Sequence, residues 1–286
     1  MIPSRLDKYL ADATALSRRE IGEASKAGRI AVRREDGAFE DEPILWELVF
    51  AEDTVLLDDE PVTASPPRHY IAFNKPPGVL TTASDPHGRL SLEPWLDRLP
   101  PTVFPVGRLD RATTGLLLVT DDGDLSHVLL RPRFHVEKRY HLTVAGDIED
   151  ADPRLQQLLD GVDIGSGPAC ALHADVIAGT PGFSVVELVI DEGRNRIVRK
   201  MCSRVGLQLE HLHRSAIGPV SLGDVRRGDW RALSADEVDE LWAAGGGRAR
   251  ADARKIDALR RQAERWRDED RPHTRLERWL ADHDHQ

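Results

Sequence analysis

The chain has 286 residues, of which 40% are hydrophobic and 31% charged, a composition typical of a globular protein with a sizeable core. No apolar run approaches the roughly 20 residues needed to span a bilayer, and the charged N-terminal segment lacks the apolar core of a secretory signal. The net charge is −10. Two cysteines are too few for a disulfide framework, which favours a reducing compartment. We therefore expect a cytoplasmic protein that does not contact membranes.

The charge is unevenly distributed along the first part of the chain. Residues 1–34 contain eight basic and four acidic groups, whereas residues 35–64 contain eleven acidic groups and no basic ones. Attraction to phosphate is screened beyond about 8 Å at physiological salt, so the local field decides whether nucleic acid binds. The acidic sum therefore does not exclude a nucleic-acid partner.

The N-terminal segment predicts a small helical module followed by short strands. Leu6, Tyr9 and Leu10 have the spacing of an amphipathic helix. Ser17 and Glu20 predict a capping box at the start of a second helix. The basic residues of interest here are Arg5, Lys8, Arg18, Arg19, Lys26 and Arg29. They form either a solvated helix face or a surface for RNA phosphates.

The segment PVTASPPR, residues 61–68, predicts a linker stiffened by proline. The chain beyond it predicts strands at YIAFNK, GVLTT, VFPVGRLD, GLLLVT, KRYHLTVAG and FSVVELVI, and helices at DDGDLSHVLLRP, NRIVRKMCSRVG and ADEVDELWAA. Residues 244–286 are charged and poor in apolar side chains, which predicts a tail that is either disordered or helical.

Sequence motifs for common cofactors and metals are absent. There is no GxxxxGK[ST] or GxGxxG loop for nucleotides and no GxSxG nucleophile elbow. The histidines are scattered and lack supporting cysteines at zinc-ligand spacing. We therefore expect neither a cofactor nor a metal.

One carboxylate stands out because of its neighbours. Asp110 lies between Arg108 and Arg111, in a loop ahead of a Thr-Thr-Gly turn, where it is either a nucleophile or one partner of a structural ion pair. Tyr140 opens a strand, where it either stacks on a base or packs in the sheet. Four basic residues within 194–200 form either a phosphate-binding surface or a solvated helix face. Together these features suggest RNA without naming a reaction.

The combined motifs resemble a known family. NKPPGVLTT, VGRLDRATTGLLLVTDDGDL, EKRY, EGRNRIVRKMC and HLHRSAIG occur in the order and spacing found in bacterial ribosomal-RNA pseudouridine synthases of the RsuA/RluB type. The stretch RLDKYLADATALSRREIGEASKAGRIAV resembles the small RNA-binding module named after ribosomal protein S4. The resemblance implies an α+β fold: an S4-like RNA-binding domain at 1–62, a pseudouridine synthase domain with a mixed, mainly antiparallel sheet at 68–243, and the charged tail at 244–286.

The resemblance also implies roles for individual residues. Asp110 matches the catalytic aspartate, which attacks the target uridine or promotes loss of its base. Tyr140 matches the tyrosine that stacks on the base and is implicated in proton removal, and Arg199 matches the basic residue that pairs with the aspartate. Arg108, Lys75 and Arg196 would bind the substrate, and the six basic residues of the N-terminal module would bind RNA.

The expected activity is isomerisation of a specific uridine in ribosomal RNA, free or in a pre-ribosomal particle, by a monomer that needs no cofactor. Two departures from the family pattern keep a second hypothesis open, a non-catalytic RNA-binding factor for ribosome assembly. Ile197 replaces the usual glutamine, and the S4-like module has AVRREDG where Val-Asn-Gly is usual.

Overall fold

The computed structural model of the chain describes residues 1–63, 67–83, 85–268 and 274–283. The chain folds into two compact units, one formed by Met1–Pro67 with Gly246–Gln286 and the other by Arg68–Gly245. The predicted linker at 61–68 falls partly outside the described residues, because 64–66 are not among them.

The elements of the described residues follow in chain order. They are β1 (Ser4–Arg5), α1 (Leu6–Ala13), α2 (Arg18–Lys26), β2 (Ile30–Arg33), β3 (Phe39–Glu40), β4 (Leu48–Val49), β5 (Thr54–Leu57), β6 (Glu60–Pro61), β7 (Tyr70–Lys75), α3 (Glu93–Leu96), β8 (Phe104–Pro105), β9 (Thr114–Thr120), α4 (Gly123–Leu130), a 3-10 helix (Pro132–Phe134), β10 (Lys138–Ala145), α5 (Pro153–Asp160), β11 (Val162–Asp163), β12 (Pro168–Ala169), β13 (His173–Thr180), β14 (Phe183–Ile190), α6 (Ile197–Val205), β15 (Leu209–Ile217), β16 (Val220–Ser221), β17 (Trp230–Ala232), α7 (Ala235–Ala244), α8 (Gly247–Asp268) and α9 (Thr274–His283).

The first unit contains two short helices and an antiparallel sheet with strand order β3-β2-β5-β6. The predicted capping box of α2 is confirmed: the Ser17 hydroxyl accepts the Glu20 N–H, and the Glu20 carboxylate accepts the Ser17 N–H. The apolar core consists of Leu6, Leu10, Ile21, Ala24, Ile30, Val32, Val49 and Val55.

The C-terminal helices α8 and α9 fold onto this same unit. Leu48 and Phe50 cluster with the apolar side chains of the two helices, which are Leu259, Ala263, Leu276, Trp279 and Leu280. Arg275 of α9 forms an ion pair of 2.7 Å with the fully buried carboxylate of Asp53. Burial alone raises the pKa of Asp53, but hydrogen bonds from Arg275, the Phe50 N–H and Arg34 hold that pKa below its usual value. The sequence predicts residues 244–286 as a separate charged tail. In the structure, apolar side chains of α8 and α9 pack on the N-terminal segment.

A mixed sheet dominates the second unit. Its strand order is β13-β14-β10-β15-β9-β7-β17, with β16 paired to β15 and β8 paired to β9. Among the described strands of this sheet, only β15 and β9 run parallel. The predicted mixed, mainly antiparallel sheet is confirmed.

Helix α6 packs on this sheet through a narrow apolar stripe. Ile197, Met201 and Val205 are buried at four-residue spacing, in the larger of the unit's apolar clusters. This stripe is the one that the sequence predicts. It leaves Arg199 on the flank of the helix, only half-buried.

One predicted strand is wrong. Residues 79–82, predicted as a strand after the Lys-Pro-Pro-Gly turn, form an irregular segment with a single isolated bridge between Leu80 and Ser91. The reason is that this segment bonds to a neighbouring loop instead of a strand ladder. Gly78 donates its N–H to the carbonyl of Arg111 at 2.8 Å, and the Thr81 hydroxyl donates to the carbonyl of Leu109 at 2.8 Å.

Among the described residues, no helix combines the length and the apolar composition that crossing a bilayer would require.

Candidate active site

A cavity of about 480 Å³ lies in the second unit where three segments meet. One wall is the loop that carries Asp110, a second is one face of β10 and β15, and the third is the turn at 193–196 with the start of α6. Sites of this size and mixed polarity are usual for a ligand as large as a nucleoside.

Asp110 and Arg199 face each other on the wall of this cavity. The Nε atom of Arg199 is 3.5 Å from Oδ2 of Asp110, and its Nη2 donates to the hydroxyl of Thr113 at 3.5 Å. The Asp110 side chain remains 33% exposed. The guanidinium therefore contacts both ends of the Asp110 turn while the carboxylate stays accessible from the cavity.

Lys75 is hydrogen-bonded to the backbone of the loop that carries Asp110. Its side chain is completely buried, and its ammonium donates hydrogen bonds to backbone carbonyls only. The acceptors are Pro76 (3.0 Å), Asp110 (3.3 Å), Arg111 (3.4 Å) and Thr113 (2.9 Å). Burial lowers the pKa of Lys75 to about 8 against the opposing attraction of the Asp110 carboxylate. This placement differs from the predicted substrate contact: Lys75 positions the loop and is closed off from the cavity.

The Thr-Thr-Gly sequence after Asp110 joins the loop to the central strands. Thr113 closes the turn with an N–H bond to the Asp110 carbonyl at 3.0 Å. Gly115 has φ of +103° and lies so close to β15 that a Cβ atom would stand 2.3 Å from the carbonyl oxygen of Arg214. Only glycine fits there, because the backbones of β9 and β15 touch where they pair in parallel.

Tyr140 lies on the floor of the cavity between two cations. Its partner across the ladder is Arg214 on β15, and Lys138 precedes it on the same face of β10. Arg214 and Tyr140 are in regular register with Leu212 and Leu142, and a β-bulge at Ser215 then shifts the register so that Lys138 pairs with Ile217. Burial and the positive charge of Arg214 lower the pKa of Lys138 to about 8, although Asp191 and Glu192 act against them.

The remaining predicted substrate-binding residues lie at the rim. Arg108 and Arg196 are exposed and line the cavity. Arg196 has a left-handed backbone, with φ of +53°, at the start of α6. Ile197, which replaces the usual glutamine, is buried in the wall as an apolar residue.

The six predicted RNA-binding residues belong to the first unit, and four of them face carboxylates. The pairs are Arg5 with Asp7 (2.9 Å), Lys8 with Asp12 (2.5 Å), Arg19 with Glu23 (3.7 Å) and Arg29 with Asp58 (2.5 Å). Arg18 and Lys26 are exposed on α2, and neither has an ion pair among the described residues.

Sequence reasoning missed three residues that shape this site. Lys138 and Arg214 lie inside the quoted segments EKRY and HLHRSAIG, but they were given no role. Thr81 lies inside NKPPGVLTT. Its hydroxyl donates to the carbonyl of Leu109 and accepts the N–H of the same residue. Membership in a motif was the only sequence signal for these residues, because their convergence depends on strand register.

Comparison with known proteins places the chain among RNA pseudouridine synthases. A family model described as RNA pseudouridylate synthase matches residues 69–204. An uncharacterized RNA pseudouridine synthase of Mycobacterium tuberculosis is 36% identical over 249 residues, 85% of this chain and 94% of the relative. The ribosomal large subunit pseudouridine synthase B of Bacillus subtilis is 31% identical over 246 residues, 84% of this chain and 96% of the relative. A solved structure described as a pseudouridylate synthase aligns with a TM-score of 0.57 and 28% identity, over 83% of this chain and 99% of that one.

Proposed function

Because this chain belongs to the RNA pseudouridine synthase family, we propose that it converts a uridine of ribosomal RNA to pseudouridine with Asp110 as the nucleophile. The observation that carries the proposal is the accessible Asp110 carboxylate 3.5 Å from the Arg199 guanidinium, on the wall of a cavity floored by Tyr140. One relative is named for the large ribosomal subunit, so large-subunit RNA is the first substrate to test.

The target uridine has to leave its base stack to reach this cavity. Extruding a nucleotide costs a few kcal/mol in a duplex and less in a loop. Tyr140 offers an aromatic ring against which the base stacks, and such stacking contributes about 1–3 kcal/mol. The exposed Arg108 and Arg196 at the rim suit the phosphates on either side of the extruded nucleotide.

The reaction is an isomerisation, so the residues only need to move bonds within one nucleotide. Asp110 attacks C1′, or promotes loss of the base, and the glycosidic C–N bond breaks. The uracil turns within the cavity, and its C5 bonds to C1′ as any bond from C1′ to Asp110 breaks. The C5 proton leaves, and N1 gains a proton. Arg199 keeps the carboxylate oriented toward the sugar, and the buried apolar Ile197 limits water access to the intermediate.

The decisive test replaces the nucleophile. Asp110→Asn is expected to abolish tritium release from ribosomal RNA labelled at uridine C5, while RNA affinity stays within several-fold. The matched control is Asp97→Asn, which changes an exposed carboxylate of the same unit and should leave the rate unchanged.

Each alternative activity has a distinct signature in this experiment. A nucleoside hydrolase would release free uracil, whereas an isomerase releases tritium and retains the base. A non-catalytic assembly factor would release neither, and the Asp110→Asn gene would fully complement a deletion. Site-by-site pseudouridine mapping with and without the gene identifies the uridine, and persistence of every site would refute the ribosomal-RNA proposal.

A further inference from the structure

Two buried cations share the floor of the cavity with Tyr140. Lys138 is 7% exposed and Arg214 is 4% exposed, yet both line the cavity that contains Asp110. They lie on adjacent strands, Arg214 as the cross-strand partner of Tyr140 and Lys138 two residues before Tyr140 on β10, so both share the face that carries Tyr140. Two cations are thus concentrated beside the surface on which a base would stack.

Neither cation forms a direct ion pair with a carboxylate of the described residues. The Lys138 ammonium donates to the Val136 carbonyl at 2.8 Å, and Nε of Arg214 donates to the Leu116 carbonyl at 2.7 Å. The Nη2 atom of Arg214 is buried without any acceptor, and no ion pair joins either side chain to an acidic one in the part of the chain that the structure describes. Burial and, to a smaller extent, repulsion by Arg214 lower the pKa of Lys138.

Such an arrangement is costly for a folded protein. Removing one charge from water costs several kcal/mol even after relaxation, and carbonyl dipoles compensate only part of that cost. A like charge beside it adds to the cost. Perturbed, uncompensated charges of this kind cluster where function requires them. The geometry therefore favours an anionic ligand in this part of the cavity.

The position on the floor favours the base over the phosphates as that ligand. Arg214 is the direct cross-strand neighbour of Tyr140, about 5 Å away along the ladder. Phosphates stay on the RNA strand, which has to pass the open rim where Arg108 and Arg196 are exposed. The extruded pyrimidine is the part of the RNA that can reach the buried floor of the cavity.

We propose that Lys138 and Arg214 bind the uracil as it becomes an anion and so promote departure of the base. This inference rests on the proposed function. It assigns the two residues a catalytic contact with the leaving group, distinct from the contact of Asp110 and Arg199 with the sugar.

The charge balance of the reaction requires such an anion. When the C1′–N1 bond breaks, its electron pair stays on uracil, and the negative charge spreads over N1, O2 and O4. C1′ bonds to the Asp110 carboxylate, or C2′ gives up a proton if the base is eliminated. When C5 then bonds to C1′, the bond from C1′ to Asp110 breaks or C2′ regains its proton. The C5 proton leaves, and N1 gains a proton. The uracil anion is common to both routes, and no further reactant is needed.

The test compares the chemical step with RNA binding. Arg214→Gln and Lys138→Met are each expected to lower the single-turnover rate constant about 100-fold at saturating RNA, the usual effect of removing one electrostatic contact to a developing charge. The RNA dissociation constant should stay within about threefold. The matched control is Arg139→Gln, a cation on the opposite face of β10, which should keep the wild-type rate. Circular dichroism melts show whether each variant folds.

A second substrate separates charge stabilisation from mere positioning. In RNA that carries 5-fluorouridine, the electron-withdrawing fluorine makes uracil a better leaving group, so its departure depends less on the cations. The variant defect, followed as the disappearance of 5-fluorouridine after nuclease digestion, should shrink to about tenfold or less.

The other outcomes overturn the inference. A weakened dissociation constant with an unchanged rate constant would identify a phosphate contact. Equal defects on both substrates would make the pair positioning residues, and unchanged rates would make it structural. Inactive wild-type protein would refute the proposed function itself, whereas active variants in an active background refute this inference alone.

Discussion

The predicted RNA-binding residues of the first unit and three buried cations of the second unit are stabilised in different ways. In the first unit, Arg29 makes a two-pronged contact with Asp58 at the surface, and three other predicted RNA-binding residues also face carboxylates. In the second unit, Lys75, Lys138 and Arg214 are buried and donate to backbone carbonyls. An acidic partner cancels a positive charge, whereas a carbonyl satisfies the hydrogen bond and leaves the net charge in place.

This difference indicates where positive charge matters for function. An exposed ion pair contributes about 0–1 kcal/mol and is screened by salt, so its presence or loss changes little. A buried cation without an acidic partner is expensive and persists only where something offsets its cost. The number of basic residues in the sequence therefore says less than the identity of their partners.

The largest expected effect is on Arg199, an ion-paired cation whose acidic partner is the proposed nucleophile itself. Arg199→Gln removes the charge beside Asp110, and single-turnover pseudouridine formation should fall by roughly 100-fold to 1000-fold. Arg19→Gln breaks an exposed pair with Glu23 and should leave the rate within twofold. An Arg199→Gln enzyme within tenfold of wild type would show that the aspartate needs no guanidinium partner.

Lys75 tests the same contrast through stability. Lys75→Met leaves the carbonyls of Pro76 and Thr113 without donors inside the protein, and the free energy of unfolding should fall by about 3 kcal/mol. Lys8→Met removes a partly exposed partner of Asp12 and should cost less than about 1 kcal/mol. Urea denaturation followed by circular dichroism measures both, and equal losses would contradict the contrast.

Local signals in the sequence predict much of the fold. The capping box at Ser17 and the stripe that begins at Ile197 are confirmed because neighbouring residues determine them. The segment at 79–82 does not form the predicted strand because its hydrogen-bond partner lies at Leu109, a separation that periodicity does not reveal. The packing of α9 on Phe50 joins residues more than 200 positions apart, for the same reason.

The candidate site, like the fold, is predicted only in part from the sequence. Motif resemblance predicts that Asp110 and Arg199 meet, and the structure brings them together. Sequence analysis misses Lys138 and Arg214 because strand alternation shows which residues of one strand share a face, but not which residues of two strands lie opposite each other. The pairing of Tyr140 with Arg214 depends on the register between β10 and β15, which neither segment reveals alone.

A pH titration of stability sharpens the comparison for Lys138. Its pKa is about 8 in the folded protein and 10.5 by reference, so above pH 8 the unfolded chain retains a proton that the folded chain has lost. Stability therefore rises with pH in this window, by about 1 kcal/mol for this group between pH 7 and 9. The rise should be smaller by that amount in Lys138→Met and in Lys138→Arg, whose charge persists. The difference between the stability curves of wild type and Lys138→Met cancels the contribution of other titrating groups. Identical curves would contradict a lowered pKa for Lys138.

The smallest expected effect concerns RNA binding by the first unit. Arg18 and Lys26 are exposed on α2 without ion-pair partners among the described residues, so their charges remain available to phosphates. The double variant Arg18→Gln, Lys26→Gln should flatten the dependence of log affinity on log salt by roughly 1.5, because each lost phosphate contact removes about 0.7–0.9. The double variant Arg29→Gln, Asp58→Asn preserves net charge and removes an existing pair, so its affinity should stay within twofold. Fluorescence anisotropy between 50 and 200 mM salt, a range suited to such slopes, measures both. Equal weakening of RNA binding by the two double variants would show that Asp58 does not cancel the charge of Arg29. That result would contradict the contrast between the two units.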